Sequence, residues 1–489
     1  MTEKMIRILY IASEAGPFIK IGGLGDVAGT LPPILYHLDP AEVDGYQIDI
    51  RLVIPYHREV AEKYHYTEPM LTLTLPRRSG DMQMDVFESE INGMPVYLID
   101  GPELTKAERI YNFRPEEDMP KFAAFSLAAL QLAKEIDFKP DILNANDWHT
   151  AVSVYALRFL RRRDPFFQNT KSLFTVHNLP YMGAECKPLL KDLYLPVRRW
   201  ANLTLPKWAR SFAMPLGLLT ANHINAVSPT YAREIQTPDF GCSLEEFLAR
   251  RADHISGIIN GLDYTAWNPE TDQQIPFNFG VDTLTERVKN KLALQKEFDL
   301  PQDATVPLVI VISRLDNQKG IDIAIEAFRR ITVTKWQAII LGTGQQDLEQ
   351  ACSDLAAELP ENVRVAIRFD GKLARRMYAG GDCILLPSRY EPCGLTQLIS
   401  MRYGCVPVAH AVGGFVDTIE GDEATPETRT GYLCHQNTPE AFAQKLEQVF
   451  DDYSRAEAWK KIQLNGMRKD YSWRHSAKEY LHRYLSMMG

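Results

Sequence analysis

"DCILLPSRYEPCGLTQLISMRYGCVPVAHAV", residues 382–412, sets an apolar run, a turn bearing Arg389, Glu391 and Cys393, a helical pattern and a second apolar run in close succession. Neither apolar run alternates with polar residues, so the strands they predict are covered on both faces. Two such strands joined by a helix form a parallel crossover unit. The same rhythm extends outward through "PLVIVIS" (307–313), "WQAIILG" (336–342) and "VRVAIRF" (363–369). It recurs in the first half at "IRILYIA", "IDIRLVIP", "PVYLID", "PDILNAN", "KSLFTVH" and "HINAVS". The chain therefore reads as α/β, with two doubly wound parallel-sheet domains.

A length of 489 residues with 45% apolar content is consistent with two or three domains. The Pro- and Gly-punctuated stretch "GIINGLDYTAWNPETDQQIPFNFG" marks the boundary, giving domains at 1–255 and 256–465 and a terminal segment at 466–489. Residues 70–99, with Asn92-Gly93 as a hairpin turn, predict an antiparallel excursion at the edge of the first sheet. Asp118 before Pro120 predicts the start of the helix "KFAAFSLAALQLAKEI".

Composition excludes several classes. A net charge of −9, from 54 basic and 63 acidic residues, gives no footprint for nucleic acid. No apolar run reaches the length of a membrane span, and the N-terminal apolar stretch is too short for a signal peptide, so no membrane partner is expected and the expected compartment is the cytoplasm. Seven scattered cysteines, none spaced as Cys-x-x-Cys, suggest neither a disulfide framework nor a zinc site.

Candidate chemistry sits at the ends of the predicted strands. "KIGGLGDVAG" (20–29) opens a helix after the first strand, so Gly22 and Gly23 could let backbone N–H groups approach an anion; a tight connection is the alternative. The stretch matches neither GxGxxG nor GxxxxGK[ST], which disfavours an ordinary nicotinamide or ATP site. "NANDWHT" (144–150) puts Asp147 and His149 where open α/β sheets bind ligands, although Asp147 could equally cap a helix. "TVHNLPYMG" (175–183) places His177 likewise, as a ligand or as a satisfied hydrogen-bonding group. In "ISRLDNQKG" (312–320), Arg314 and Lys319 converge after a strand and suit a diphosphate. Glu391, beside the first turn of the helix "GLTQLISMRYG", is a poor phosphate ligand. It could bind sugar hydroxyls or offset positive charge at an anomeric carbon. Two cations, a helix start and a carboxylate point to a nucleotide-sugar.

These stretches, with "VSPTYAREI", "LGTGQQDLE", "PSRYEPCGLTQ" and "YSWRHSAKEY", resemble the glycogen and starch synthases almost end to end. The resemblance implies the GT-B arrangement, two Rossmann-like domains with an active-site cleft between them, and a terminal helix crossing back to the first. It implies a retaining glucosyltransferase that extends an α-1,4-glucan from ADP-glucose or UDP-glucose, the former by family habit, with no cofactor and no metal. Residue by residue, Lys20, Gly22, Gly23 and Asp26 would serve the substrate from the Gly-rich loop. Asp147 and His177 would hold the transferred glucose. Arg314 and Lys319 would neutralise the departing diphosphate, and Phe369 would stack on the base. Glu391 would stabilise the cationic sugar, with Cys393, Gly394, Leu395 and Thr396 completing that turn on the substrate side.

The chain departs from the family pattern at Ile21 (for Thr in KTGGL), at Asn144 and Asn146 (for the first two His of HAHDWH), at His410, Ala411 and Val412 (for RRT), and at Phe369-Asp370-Gly371. These changes could lower activity or change the donor. Two further readings follow: a related retaining glycosyltransferase with another donor or a small acceptor, and a non-catalytic glucan-binding paralogue. A glycosidase is disfavoured because no paired carboxylates stand out.

Overall fold

The computed structural model describes residues 4–104, 106–107, 109–197 and 205–489. They fall into two compact units, Met1–Gly261 with Trp473–Gly489, and Leu262–Ser472.

The first unit holds β1 (Lys4–Ile11), β2 (Tyr46–Pro55), β3 (Leu71–Leu75), β4 (Met82–Ile91), β5 (Met94–Ile99), β6 (Ile142–Asn146), β7 (Lys171–Val176), β8 (His223–Ala226) and β9 (Ile255–Gly257). Their spatial order is β3-β4-β5-β2-β1-β6-β7-β8-β9. Pairing is parallel from β5 through β9, while β3 and β4 form the antiparallel excursion. Asn92 (φ +51°) and Gly93 (φ +78°) turn β4 into β5; positive φ at both central residues matches the twist of the flanking strands. The central strands are apolar throughout because helices cover both faces: Ile8, Leu9, Tyr10, Ile142, Leu143, Leu173 and Phe174 are fully buried.

The second unit is all parallel: β10 (Leu308–Ile312), β11 (Gln337–Gly342), β12 (Val363–Ile367), β13 (Cys383–Leu386), β14 (Val406–His410) and β15 (Tyr432–Cys434), in the order β12-β11-β10-β13-β14-β15. In each sheet the order reverses once, between β1 and β6 and between β10 and β13. Those are the switch points where crossover loops diverge and leave a crevice at the carboxyl ends of the strands.

The structure moves several predicted boundaries. The first unit ends at Gly261 rather than at 255, because β9, too short to show periodicity, still pairs with β8. The second ends at Ser472 rather than at 465, because the helix Ala456–Arg468 belongs to it. The helix expected from Asp118 begins a turn earlier, at Pro115, where the missing N–H costs nothing. Asp118 is buried, accepts from the backbone N–H and Nδ2 of Asn112 at 2.8 and 2.7 Å, and pairs with Lys121 at 2.7 Å.

The terminal helix Trp473–Met488 packs within the first unit through Trp473, Ala477, Tyr480, Leu481 and Tyr484, one stripe at helical spacing. Gly261 is required there, since a Cβ would come within 2.4 Å of the Trp473 backbone. Tyr480 Oη accepts from Asn225 Nδ2 at 3.1 Å, and Tyr484 Oη donates to Asn144 Oδ1 at 3.0 Å. Among the described residues no helix is long and apolar enough to cross a membrane.

Candidate active site

In the first unit, residues following β1, β6 and β7 meet at the switch point. The Gly-rich loop leads into the helix Gly23–Tyr36, whose N-cap is Gly22. Two N–H groups of the loop just before it are taken by an anion from the chain itself: the buried Glu14 carboxylate accepts from Gly22 N–H at 3.2 Å and from Ile21 N–H. Burial raises the Glu14 carboxyl, opposed by the N–H groups of Ile21, Gly22 and Gly25. Gly23 faces open space. Lys20 Nζ pairs with Asp26 at 2.7 Å on the exposed side of the loop.

Asp147 opens the helix Asp147–Leu160 with φ +53°, a left-handed conformation that Asp tolerates better than most residues. It is not the helix cap, a position that Asn146 occupies. Instead its Oδ1 accepts from the backbone N–H groups of His177 at 2.8 Å and Asn178 at 3.4 Å, tying the end of β6 to the loop after β7. Burial pushes its carboxyl up to about 7, against those two donors and with a further rise from Glu14. The His177 ring lies with Nε2 2.9 Å from Asn146 Oδ1, and burial pushes its pKa down to about 3, so it is neutral. His149 packs between Trp148, Phe122 and Tyr111, with Nδ1 unpartnered among the described residues.

In the second unit the loop after β10 closes on the turn after β13. Gly320 (φ +67°) makes this possible, because a Cβ there would lie 2.0 Å from the Pro387 carbonyl oxygen. The contact brings Lys319 Nζ to Glu391 Oε2 at 2.6 Å, with Ser388 Oγ donating to the same oxygen at 3.1 Å. Their side chains are 21% and 10% exposed, so the pair is largely desolvated yet reachable from one side. Arg314 pairs separately with Asp316 at 2.9 Å and is 59% exposed. The two expected cations are thus each held by a carboxylate, and the resting loop is close to neutral. Arg389 turns away and forms a fork with Asp322 at 2.7 and 2.8 Å.

The rest of the turn is packed from behind. Gly394 (φ +76°) has no room for a Cβ beside Gln397, and Gly414 would clash with the Cys393 carbonyl oxygen at 2.1 Å. Cys393 is buried, Leu395 precedes the helix Thr396–Arg402, and the Thr396 hydroxyl is engaged by Tyr378. That helix is short. Phe369 follows the edge strand β12 and is 91% exposed, apart from the Lys319–Glu391 cluster.

The departures from the family pattern have distinct fates. Ile21 is exposed. Asn144 and Asn146 are fully buried hydrogen-bond partners of Tyr484 and His177. His410 Nδ1 donates to the Ser388 carbonyl at 2.7 Å and so steadies the Glu391 turn, while Val412 is buried where a hydroxyl would need a partner. Sequence reasoning missed Glu14, Asn146 as a partner of His177, and Tyr111, whose Oη lies 2.8 Å from Ser13 Oγ. The signal for Glu14 was its place at the end of a strand beside the switch point, which requires the strand order.

Comparison with known proteins agrees with this architecture. The model of the starch synthase catalytic domain matches residues 7–250, and that of the group 1 glycosyl transferases matches residues 294–464. Glycogen synthase 2 of Geobacter sulfurreducens is 36% identical, with 97% of each chain covered. Glycogen synthase of Streptococcus pneumoniae is 35% identical over 99% of this chain and all of its own. The catalytic domain of starch synthase IV from Arabidopsis thaliana, bound to ADP and acarbose, superposes with a TM-score of 0.84 at 27% identity, covering 99% of each chain. Anabaena Alr3699/HepE in complex with UDP-glucose, at 16% identity and a TM-score of 0.54, shares the fold; 98% of this chain and 99% of that one are covered. With doubly wound units, charged clusters at both switch points and relatives matched over their full length, the chain belongs to the glycogen and starch synthase family of glucosyltransferases.

Proposed function

We propose that the protein transfers glucose from ADP-glucose to the 4-hydroxyl at the non-reducing end of an α-1,4-glucan, with retention of configuration. The observation that carries this reading is the Lys319–Glu391 pair at 2.6 Å, a cation and a carboxylate on one side of a switch point. A diphosphate arriving there competes for the Lys319 ammonium and releases Glu391 to face the sugar. Arg314, exposed and held by Asp316 and Gln318, can exchange those partners for phosphate oxygens. Phe369 has a free ring face for the base.

In the reaction the bond between C1 of glucose and the diphosphate oxygen breaks, and its electron pair leaves with the diphosphate. Lys319 and Arg314 oppose the charge that develops there, while Glu391 opposes the positive charge on the sugar. The acceptor 4-hydroxyl attacks C1 on the face the diphosphate leaves, and its proton passes to the departing diphosphate. Asp147 and the neutral His177 hold sugar hydroxyls, and Lys20, Gly22, Gly23 and Asp26 border the substrate from the Gly-rich loop. Seven cysteines outside any disulfide, six of them buried, fit a cytoplasmic protein.

The test is nucleotide release by the purified protein from ADP-glucose and UDP-glucose, each with and without glycogen, with the anomeric configuration of the new linkage read by NMR. Glucan-dependent ADP release with an α linkage is expected. Release from UDP-glucose alone would move the donor assignment and make Ile21, Val412 and the 369–371 stretch its determinants. Glucan binding with no release from either donor would replace this reading with a non-catalytic one.

A further inference from the structure

Asn146 ends β6 and is fully buried. Its Nδ2 donates to the carbonyl oxygen of Ile11, the last residue of β1, at 2.9 Å. A carbonyl oxygen can only accept, so the amide orientation is settled and Oδ1 must point the other way. Two groups meet that oxygen: Tyr10 Oη at 3.2 Å and His177 Nε2 at 2.9 Å. Tyr10 keeps its proton, since burial raises the phenol well above its ordinary value, and it donates. An amide oxygen has nothing to donate, so His177 Nε2 must carry a hydrogen.

We propose that Asn146 is a positioning residue that locks the neutral His177 imidazole in its Nε2–H tautomer and presents the Nδ1 lone pair as an acceptor for a hydroxyl of the transferred sugar. The main chain that carries the ring is anchored as well, because the His177 backbone N–H donates to Asp147 at 2.8 Å. Among the described residues no side chain or backbone group pairs with Nδ1. The neutral ring has one hydrogen, and the buried amide takes it, so Nδ1 is an acceptor only. A sugar hydroxyl, which can donate, fits that nitrogen; a phosphate oxygen does not. The catalytic part of this inference rests on the glucosyltransferase reading, whereas the tautomer does not.

The first measurement is made on the full chain without substrate: the ring ¹⁵N shifts of histidine-labelled protein, with His177 assigned by its disappearance in His177→Gln. The expected result is a protonated Nε2 and a bare Nδ1. In Asn146→Leu, which has similar volume and no acceptor, the ring populates both tautomers. Glucan-dependent turnover should then fall about tenfold, the worth of one hydrogen bond, while affinity for ADP alone stays unchanged. Asn146→Asp keeps an acceptor in the same place and should keep Nε2 protonated, which guards against a leucine variant that fails to fold. A wild-type ring protonated on Nδ1 overturns the proposal outright. Unchanged ring shifts or unchanged turnover in folded Asn146→Leu would overturn it as well. If the wild type transfers no glucose, the tautomer result still stands or falls on its own.

Discussion

Removing Lys319 or Glu391 tests whether the two act as one device. In Lys319→Ala the Glu391 carboxylate, 10% exposed, keeps the Ser388 hydroxyl at 3.1 Å as its side-chain partner among the described residues. Stranding a fully buried charge costs about 3–5 kcal/mol; with Lys319 21% exposed, water discounts this to about 1–2 kcal/mol of stability in the second unit. The effect on turnover should be larger, because the groups face charge that develops in a dry site: each single alanine variant should lose roughly 10²–10³ in kcat, about 2.7–4 kcal/mol. Independent effects would multiply to about 10⁴–10⁶ in the double variant, whereas a coupled pair leaves it within about tenfold of the worse single. The assay is glucan-dependent ADP release by the wild type, both singles and the double, with ADP affinity measured separately by calorimetry. Lys319→Ala should weaken ADP binding about tenfold. Glu391→Ala should bind ADP at least as tightly as the wild type, because a carboxylate competing for the Lys319 ammonium has gone. A near wild-type rate for Glu391→Ala, or multiplicative singles, would refute the reasoning.

The Asp147 carboxyl, held at about 7, should give a pH–rate profile that rises through about pH 7 as the carboxylate forms, and Asp147→Asn should flatten that limb. The sign for stability is opposite: the folded-state pKa lies above the ordinary 3.8, so the contribution is complete below that value and is lost as pH rises towards about 7. Denaturant titration of the wild type against Asp147→Asn reads that difference. Phe369→Ala, which removes a 91% exposed ring, should leave stability within about 0.5 kcal/mol yet raise the donor KM about tenfold, measured by steady-state kinetics. Tyr484→Phe orphans Asn144 Oδ1 in the core and should cost the first unit about 1–3 kcal/mol, seen as faster amide exchange in the helix Trp473–Met488. Gly320→Ala, with a Cβ 2.0 Å from the Pro387 carbonyl oxygen, should push the Lys319 loop off Glu391 and lower kcat about as much as Lys319→Ala, by roughly 10²–10³.

The sequence by itself determined the class of fold and the types of residue at stake. Unbroken apolar runs such as "LVIVI" and "CILL" can be satisfied only by sheets covered on both faces, and they announce themselves locally because burial on both faces removes the alternation. The charged residues that follow those runs, Arg314, Lys319, Glu391 and Asp147, were legible for the same reason: they stand at strand ends, where ligands bind. Three-residue strands such as β9 and β15 left no such trace, and the first domain boundary moved with β9.

Only the tertiary structure decided how those residues are spent. Glu14 occupies the Gly22 N–H of the Gly-rich loop, Arg314 and Lys319 rest in separate ion pairs, and Asp147 ties two loops instead of capping a helix. Asn144 and Asn146, which in sequence are substitutions in a motif, prove to be buried partners of Tyr484 and His177, 340 and 31 residues away along the chain. A hydrogen bond is set by distance and direction in space, and a strand order that brings β1 beside β6 creates neighbours that no local pattern encodes.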